Sequence, residues 1–319
     1  MLNHSECLPY LFWIKMRGSN GRRRPRHPPL HQIIPGSYSN CILSLSVSFH
    51  SFTRFLIRVL VQFCFKMAET WVVVGASRGI GLEFVKQLLD RGHNVIAGVR
   101  NPSGAKHLSQ FISSHVSQSK PGRCLVEQCD VTSEDSINDF VNRVGAATRH
   151  GMSIKNVILN AGVLKYPNRA TEISFSDFAL HLHTNTIGPI LCAQKLMKLD
   201  SEHPPSKVVF ISSDSGSTVL FRSHEDGFGA YGASKVALNQ ILRHMAAELE
   251  RGENRGKTTI LAMHPGEVQT DMANIEVGWE VEGIIQPCES VSGMLKVIEE
   301  KDVKDNGTFW CWDGRSHPW

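Results

Sequence analysis

The sequence lacks the residue patterns that mark metal sites and disulfide frameworks. Its eight cysteines include no Cys-x-x-Cys pair, and no His-Glu-x-x-His or similar metal-ligand spacing occurs. We therefore expect no metal ion, and reduced thiols of the kind found in the cytoplasm. The apolar run at 55–65 is broken by Arg58 and Gln62, and it is well short of the roughly 20 residues that a membrane-spanning helix needs. We predict a cytoplasmic protein without a membrane span.

Acidic residues are almost missing from positions 1–66. This segment holds nine Lys or Arg residues and one acid, which leaves 25 basic and 29 acidic residues for 67–319. Three hypotheses fit it: an unfolded leader without a role, a mitochondrial presequence, or a tether to membrane or nucleic acid built on the basic cluster 22–26. Residues 67–319 are mildly acidic and are not expected to bind nucleic acid. We expect them to form one domain that folds without residues 1–66.

A strand, a glycine turn and a helix start follow one another at 71–89. Four apolar residues before the turn suit a buried strand, and from Ile80 onward apolar residues recur at helical spacing. Gly75, Gly79 and Gly81 fill the turn between them. The free N–H groups of a first helical turn bind anions, and glycine lets a phosphate approach the backbone. An ordinary turn fits three glycines about as well as a dinucleotide site does.

Two arginines bear on which dinucleotide such a turn would bind. Arg100 follows the second predicted strand, 93–99, where NAD-binding units usually carry an acid that bonds the ribose 2′-hydroxyl. An arginine pairs instead with the 2′-phosphate of NADP. Arg78 adds a second cation inside the glycine turn. Either residue alone fits a solvated surface charge, but the two together favour NADP over NAD.

Predicted strands and helices alternate along the rest of the chain. This alternation predicts an α/β fold, a doubly wound parallel seven-stranded sheet in three layers and a single domain. Ligands gather at the carboxyl ends of such strands, and Asp130, Asn160 and Ser213 each lie at or just after a strand end. Asp130 fits equally well as an anion at the start of the next helix.

Tyr231 and Lys235 are four residues apart in a predicted helix and therefore share one face. The ammonium favours the phenolate, so we expect it to lower the pKa of the phenol from about 10 toward neutrality. Such a phenol can give a proton to a carbonyl oxygen or take one from an alcohol. On its own, this spacing is common on helices.

Five motifs stand in a fixed order: the glycine turn, Asn-Ala-Gly at 160–162, Ile-Ser-Ser at 211–213, Tyr-x-x-x-Lys at 231–235 and a Pro-Gly loop at 264–272. In this order the chain resembles the short-chain dehydrogenase/reductase family over 67–319. It is most similar to the carbonyl-reductase-like, C-factor-like branch. The resemblance implies a Rossmann-type sheet, a nicotinamide cofactor and a small carbonyl or alcohol substrate.

The resemblance also implies roles for individual residues. Tyr231 would be the general acid/base, Lys235 would bind the nicotinamide ribose, Ser213 would bind the substrate oxygen and Asn185 would hold a proton-relay water. Ser215 remains a rival for the serine role, because 17 residues separate Ser213 from Tyr231, more than in the commonest members. The implied cofactor contacts are Gly75, Ser77, Arg78, Gly79, Ile80, Gly81, Arg100, Asp130, Val131, Asn160, Ala161, Gly162, Tyr231, Lys235, Pro265, Gly266, Val268 and Thr270.

The leading functional hypothesis is an NADP-dependent oxidoreductase that interconverts a carbonyl compound and its alcohol. A non-catalytic NADP-binding regulator or scaffold on the same fold is the alternative, and the complete Asn-Ser-Tyr-Lys set argues against it. A membrane- or nucleic-acid-associated factor led by residues 1–66 is a third. Apolar residues at 273–287, where the family has a mobile lid, suggest a partly apolar substrate or pack on the core. The family forms monomers, homodimers and homotetramers, and the chain does not decide among them.

Overall fold

The computed structural model describes residues 68–149, 152–252 and 255–319, and the predictions on residues 1–66 lie outside this part of the chain. In it, seven parallel strands form one sheet in the order β3-β2-β1-β4-β5-β6-β7. The order reverses between β1 and β4, which opens a crevice at the carboxyl ends of these strands. The strands are β1 (Thr70–Val74), β2 (Asn94–Val99), β3 (Cys124–Gln128), β4 (Ile154–Leu159), β5 (Lys207–Ile211), β6 (Thr259–His264) and β7 (Thr308–Cys311).

Helices cover both faces of this sheet. They are α1 (Gly79–Asp90), α2 (Lys106–Ser117), α3 (Glu134–Arg149), α4 (Phe175–Leu182), α5 (Gly188–Met197), α6 (Gly229–Arg251) and α7 (Pro287–Glu300). None of these helices in the described part of the chain combines the length and the apolar character that crossing a bilayer requires.

The two faces of the sheet bury alternate residues of each strand. In β1, Trp71 and Val73 pack with the apolar residues of α1, α2 and α7, whereas Val72 and Val74 pack with those of α3, α5 and α6. Because both faces are buried, the strand is apolar throughout instead of alternating with polar residues. The predicted three-layer, doubly wound architecture is confirmed.

The helical segment that carries Asn185 changes its geometry along its length. Helix α4 ends at Leu182, a π-helical turn covers His183–Ile187, and α5 begins at Gly188. Asn185 lies inside this turn, and asparagine followed closely by glycine is poor helix chemistry.

Candidate active site

The glycine turn joins β1 to α1 through close backbone contacts. The N–H of Gly75 donates to the carbonyl of Gly98 in β2 at 2.8 Å, and the side-chain amide of Asn160 donates to the carbonyl of Gly75 at 2.9 Å. A Cβ atom on Gly81 would overlap that same carbonyl and would lie 2.6 Å from the Asn160 amide. Glycine at position 81 is therefore required by packing between the helix start and β1.

The start of α1 presents its N–H groups without a side-chain cap. Arg78 is the N-cap residue, its side chain makes no capping hydrogen bond, and the first turn contains no acid. Gly75 and Gly79 both have positive φ, which bends the backbone around the turn. Ser77 is half-buried, and Ile80 packs against the core on the α1 side. This arrangement fits an anion at the helix N-terminus.

The two arginines predicted to favour NADP differ in their surroundings. Arg100 is exposed directly after β2, and its side chain has no polar partner among the described residues. Arg78 forms an ion pair with Asp271 of the Pro-Gly loop, at 3.0 Å, and the two side chains are 70% and 73% exposed. A bound anion would therefore compete with Asp271 for Arg78 but not with any described residue for Arg100.

Asp130 holds the chain after β3 in a local turn. Its carboxylate accepts hydrogen bonds from the backbone N–H of Thr132 at 3.0 Å and from the Thr132 hydroxyl at 2.7 Å. Val131 is buried, and a Cβ on Gly188 would overlap its carbonyl oxygen. The Asp130 carboxylate therefore closes a turn before α3, whose first turn is capped by the hydroxyl of Ser133, which accepts from the N–H of Ser136 at 3.3 Å.

Residues 160–162 lie beside the glycine turn. A Cβ on Gly75 would be 2.6 Å from the backbone nitrogen of Ala161, so the two loops touch. A Cβ on Gly162 would lie 3.4 Å from the side-chain oxygen of Asn185. Small residues in both loops therefore keep the carboxyl ends of β1 and β4 close together.

Asn185 joins three elements through its buried side chain. Its oxygen accepts from the N–H of Val163 at 2.7 Å, and its amide donates to the carbonyl of Val163 at 2.9 Å and to the hydroxyl of Ser234 at 3.0 Å. Asn185 is thus a buried structural bridge. It connects the loop after β4 with the helix that carries Tyr231.

Ser213, Tyr231 and Lys235 come together at the carboxyl end of β5. Ser213 lies close enough to the Tyr231 phenol to lower its pKa, and Tyr231 is half-buried near the start of α6. The ammonium of Lys235 is 5.7 Å from the centre of the Tyr231 ring and donates to the carbonyl of Ile211 at 2.8 Å. The predicted shared helical face is thus present in the structure.

Ser215 occupies a different position from Ser213. Its backbone N–H donates to the hydroxyl oxygen of Ser213 at 3.2 Å. Ser215 also lines a separate cavity of about 640 Å³ together with Phe221, Ala233 and Val236. Ser213 does not line that cavity, so the geometry favours Ser213 as the serine that faces Tyr231.

The ionisation of Tyr231 and Lys235 is shifted mainly by burial. Burial raises the pKa of Tyr231 above its ordinary value of 10, the hydrogen bond with Ser213 lowers it, and the charges of three nearby acids raise it further. Burial also lowers the pKa of Lys235 to about 8. The prediction that Lys235 lowers the Tyr231 pKa is therefore wrong in direction for the protein without cofactor. The loss of hydration on burial raises this pKa by more than the nearby ammonium can lower it.

A charged cluster surrounds Ser213, and our sequence analysis missed its centre, Asp214. The buried Asp214 carboxylate contacts Arg222 of the loop before α6, and its Oδ1 atom is 3.7 Å from Nδ1 of His264. Arg222 also pairs with Glu225 and lies 3.7 Å from Glu267. The sequence does contain one indication that Asp214 belongs to the site, because it directly follows Ser213 at the end of a strand.

Aromatic side chains form the wall beside the Tyr231 ring. The ring of Phe228 lies 6.2 Å from that of Tyr231 and 6.0 Å from that of Trp279. On its other side Phe228 is packed against Tyr166, at 5.4 Å between ring centres. Trp279 belongs to the segment 273–287, and its contact with Phe228 places part of that segment over the candidate site instead of on the core.

The Pro-Gly loop approaches the glycine turn. A Cβ on Gly79 would lie 3.3 Å from the side chain of Thr270, and Val268 forms an isolated parallel bridge with Ile285. The carbonyl of Pro265 accepts a hydrogen bond from Ser290 at 2.6 Å, and Gly266 packs against Trp312. Within the described ranges, no group of three or more His, Cys, Asp or Glu side chains could hold a metal ion.

Comparison with known proteins identifies the family. Residues 69–280 match the family model described as short chain dehydrogenase. An uncharacterized oxidoreductase of Schizosaccharomyces pombe is 33% identical over 262 residues, which cover 78% of this chain and 98% of that protein.

Solved structures of carbonyl reductases share the fold. The NADPH-bound carbonyl reductase from chicken fatty liver matches with a TM-score of 0.68 and 30% identity, over 79% of this chain and 99% of that one. Carbonyl reductase Sniffer of D. melanogaster matches with a TM-score of 0.65 and 25% identity, over 79% of this chain and all of that one. The chain therefore belongs to the short-chain dehydrogenase family and is an oxidoreductase.

Proposed function

We propose that this protein is an NADP-dependent oxidoreductase that interconverts a carbonyl compound and its alcohol, with Tyr231 as the general acid/base. The observation that carries the proposal is the convergence of Ser213, Tyr231 and Lys235 at the carboxyl end of β5. Carbonyl chemistry needs a proton donor beside the oxygen and polar groups that stabilise the charge developing on it. These three side chains supply both.

The glycine turn and its surroundings fit a dinucleotide. In the proposal, the uncapped start of α1, with Gly75, Ser77, Gly79, Ile80 and Gly81, holds the pyrophosphate, and Arg78 and Arg100 hold the 2′-phosphate. Asp130 and Val131 would contact the adenine ring, and the small residues of 160–162 would leave room for the cofactor. Val268 and Thr270 would contact the nicotinamide amide, and Pro265 and Gly266 belong to the same loop of the cofactor site. When bound, NADPH supplies the hydride.

The side chains of the site supply the proton and hold the substrate. Tyr231 donates its phenolic proton to the carbonyl oxygen in reduction and accepts a proton from the alcohol in oxidation. Ser213 bonds the same oxygen, and Lys235 places a positive charge near the phenol and binds the nicotinamide ribose. Asn185, which bridges Val163 and Ser234, holds the relay water that carries protons to and from the site.

The substrate in this proposal is a small and partly apolar carbonyl or alcohol compound, because Phe228 and Trp279 form the wall beside Tyr231. The NADPH-bound structure of the chicken carbonyl reductase supports the choice of cofactor. The cysteines of the described ranges are free, which supports a cytoplasmic location for the enzyme.

The test is NADPH oxidation by the full chain with benzaldehyde, acetophenone and menadione as probes. We expect turnover of at least one probe, and Tyr231→Phe should lower kcat by about 10²- to 10⁴-fold while NADPH still quenches tryptophan fluorescence. Tyr166→Phe is the matched control, because it removes a phenolic hydroxyl that lies behind Phe228. Near-normal turnover in Tyr231→Phe would reject the acid/base role. NADPH binding without any turnover would favour the non-catalytic alternative.

A further inference from the structure

The Asp214 carboxylate is a buried anion in direct contact with the candidate serine. Its side chain is 8% exposed, and its Oδ1 atom accepts from the Ser213 hydroxyl at 3.0 Å and from the backbone N–H of Ser215 at 2.8 Å. Its other oxygen accepts from the guanidinium of Arg222. A buried charge is costly unless it is paired and hydrogen-bonded, and Asp214 satisfies both conditions.

Asp214 is ionised at neutral pH. Burial by itself raises the pKa of Asp214, but the neighbouring His264 and Arg222, together with the bonds from Ser213 and Ser215, lower it below its ordinary value. The charge of His264 acts on Asp214 only at acid pH, because burial lowers the pKa of its imidazole to about 4, and near pH 7 Arg222 and the hydrogen bonds hold the Asp214 charge. The Nδ1 atom of His264 instead accepts from the backbone N–H of Asp214 at 3.2 Å.

An ionised carboxylate can only accept hydrogen bonds, so it fixes the direction of the Ser213 hydroxyl. Before substrate binds, the single hydrogen of Ser213 points to Asp214, and the N–H of Ser215 takes one lone pair of its oxygen, which leaves one lone pair for the Tyr231 phenol. A serine held this way accepts from a neutral phenol more readily than it donates to a phenolate. Three acids raise the pKa of Tyr231 by their negative charge: Asp214, Glu267 and Glu225. The ammonium of Lys235, 5.7 Å from the ring centre, has the opposite charge.

Arg222 connects the hydrogen-bonded pair of Asp214 and Ser213 to the loop before α6. Its guanidinium bonds both Asp214 and Glu225, and it reaches Glu267 of the Pro-Gly loop at 3.7 Å. We propose that Asp214, clamped by Arg222, is a positioning residue that holds the Ser213 hydroxyl in place beside the Tyr231 phenol. The inference rests on the proposed function for its catalytic meaning, but not for its structural test.

The first experiment measures the pH midpoint of Tyr231 ionisation in the full chain. Phenolate absorbance is recorded against pH with and without NADP⁺, and the curve of the matching Tyr231→Phe protein is subtracted. Asp214→Asn, which keeps the size of the side chain and removes its charge, should lower the midpoint by about one pH unit. Arg222→Met should raise it, because three acids then face Tyr231 with less compensation.

Asp214 and Arg222 touch each other, so opposite shifts of the Tyr231 midpoint in their variants distinguish positioning from a general loss of structure. Arg222→Lys, which keeps the charge, should restore most of the wild-type midpoint. Arg169→Met is the matched control, because Arg169 anchors the same loop through Asp226, with contacts of 2.6 and 2.8 Å, and does not touch Asp214. An unchanged or higher midpoint in Asp214→Asn would overturn the inference, and so would equal shifts in Arg222→Met and Arg169→Met.

The second experiment separates kcat from KM with the carbonyl probe that the wild type reduces fastest. Asp214→Asn should lower kcat about ten-fold, as expected for the loss of a hydrogen bond to a charged group, and leave the KM for NADPH unchanged. A raised KM for NADPH with unchanged kcat would contradict the inference. If no probe is reduced but the midpoints shift as expected, the inference stands and the proposed function fails.

Discussion

The guanidinium of Arg78 lies 3.0 Å from the carboxylate of Asp271, which joins the glycine turn to the Pro-Gly loop. Both side chains are largely exposed, and exposed ion pairs contribute about 0.2–1 kcal/mol. In the proposed complex, Asp271 competes with the 2′-phosphate of NADPH for Arg78.

We expect Asp271→Asn to lower the KM for NADPH by up to about five-fold, the equivalent of about 1 kcal/mol, and to leave the KM for NADH unchanged. Steady-state kinetics with both cofactors measure this difference. Equal changes for NADPH and NADH would show that Asp271 does not act through the phosphate.

Arg100 is the second cation assigned to the 2′-phosphate, and it has no described partner to compete with it. Arg100→Ala should lower the NADPH/NADH ratio of kcat/KM by about ten-fold or more, because a charge-assisted hydrogen bond is lost for one cofactor only. Arg123→Ala is the control, since Arg123 is an exposed arginine at the opposite end of the sheet, just before β3. A wild-type ratio below one would reject the preference for NADP.

Ser213 and Ser215 lie in different surroundings, and steady-state kinetics can test which of the two binds the substrate oxygen. In the proposed substrate complex the Ser213 hydroxyl turns from Asp214 to the substrate oxygen, and removing one donor that stabilises a developing oxyanion costs about 10²- to 10³-fold in kcat. Ser213→Ala should show a loss of that order, whereas Ser215→Ala should stay within about threefold of the wild type, because its backbone N–H remains. Unimpaired Ser213→Ala would reverse the assignment.

Gly81 is constrained by packing, so its substitution tests the backbone of the glycine turn. Gly81→Ala should cost about 3 kcal/mol in free energy of unfolding, because its Cβ overlaps the carbonyl of Gly75. Gly278→Ala is the control, since no atom lies within 4 Å of its Cβ position, and it should change stability by less than about 0.5 kcal/mol. Chemical denaturation measures both, and a neutral Gly81→Ala would contradict the packing argument.

His264 makes stability depend on pH in a defined window. Burial lowers the pKa of its imidazole to about 4 from 6.5, so between these values the unfolded chain binds more protons than the folded one. Stability from His264 is therefore present above pH 6.5 and is lost as the pH falls toward 4, by about 3 kcal/mol in total. The nearby Asp214 and Arg222 stay charged through most of this range.

His264→Asn keeps an acceptor near the backbone N–H of Asp214 and removes the titration. Its free energy of unfolding should fall less steeply than that of the wild type below pH 6.5, measured by urea unfolding at a series of pH values. His107→Asn, at an exposed position in α2, should follow the wild type. Parallel pH profiles for the wild type and His264→Asn would exclude a role for this histidine.

The sheet could be predicted because its signals are local in sequence. Residues 71–74 are apolar without interruption, and this is what a strand buried on both faces requires. Parallel strands place their carboxyl ends together, so the position of Ser213 relative to the glycine turn followed from strand order alone. The shared helical face of Tyr231 and Lys235 could be predicted from their separation of four residues.

The charged cluster and the aromatic wall could not be predicted in the same way. Arg222 reaches Asp214 only because an irregular loop turns back on β5, and Phe228 meets Trp279 from a segment 51 residues further along the chain. Neither contact follows from periodicity. The direction of the Tyr231 pKa also depends on burial, which the spacing of Tyr231 and Lys235 does not report.

The π-helical turn His183–Ile187 has a consequence for the residues after it. Such a turn contains one residue more than an α-helical turn, which rotates everything downstream by roughly 100° about the axis. Gly188, the first residue after the turn, lies against the carbonyl of Val131, so its position leaves no room for a further rotation of that size. Deleting a single residue from this turn would swing the buried side of α5 outward, so the length of this segment, as much as its composition, is under physical constraint.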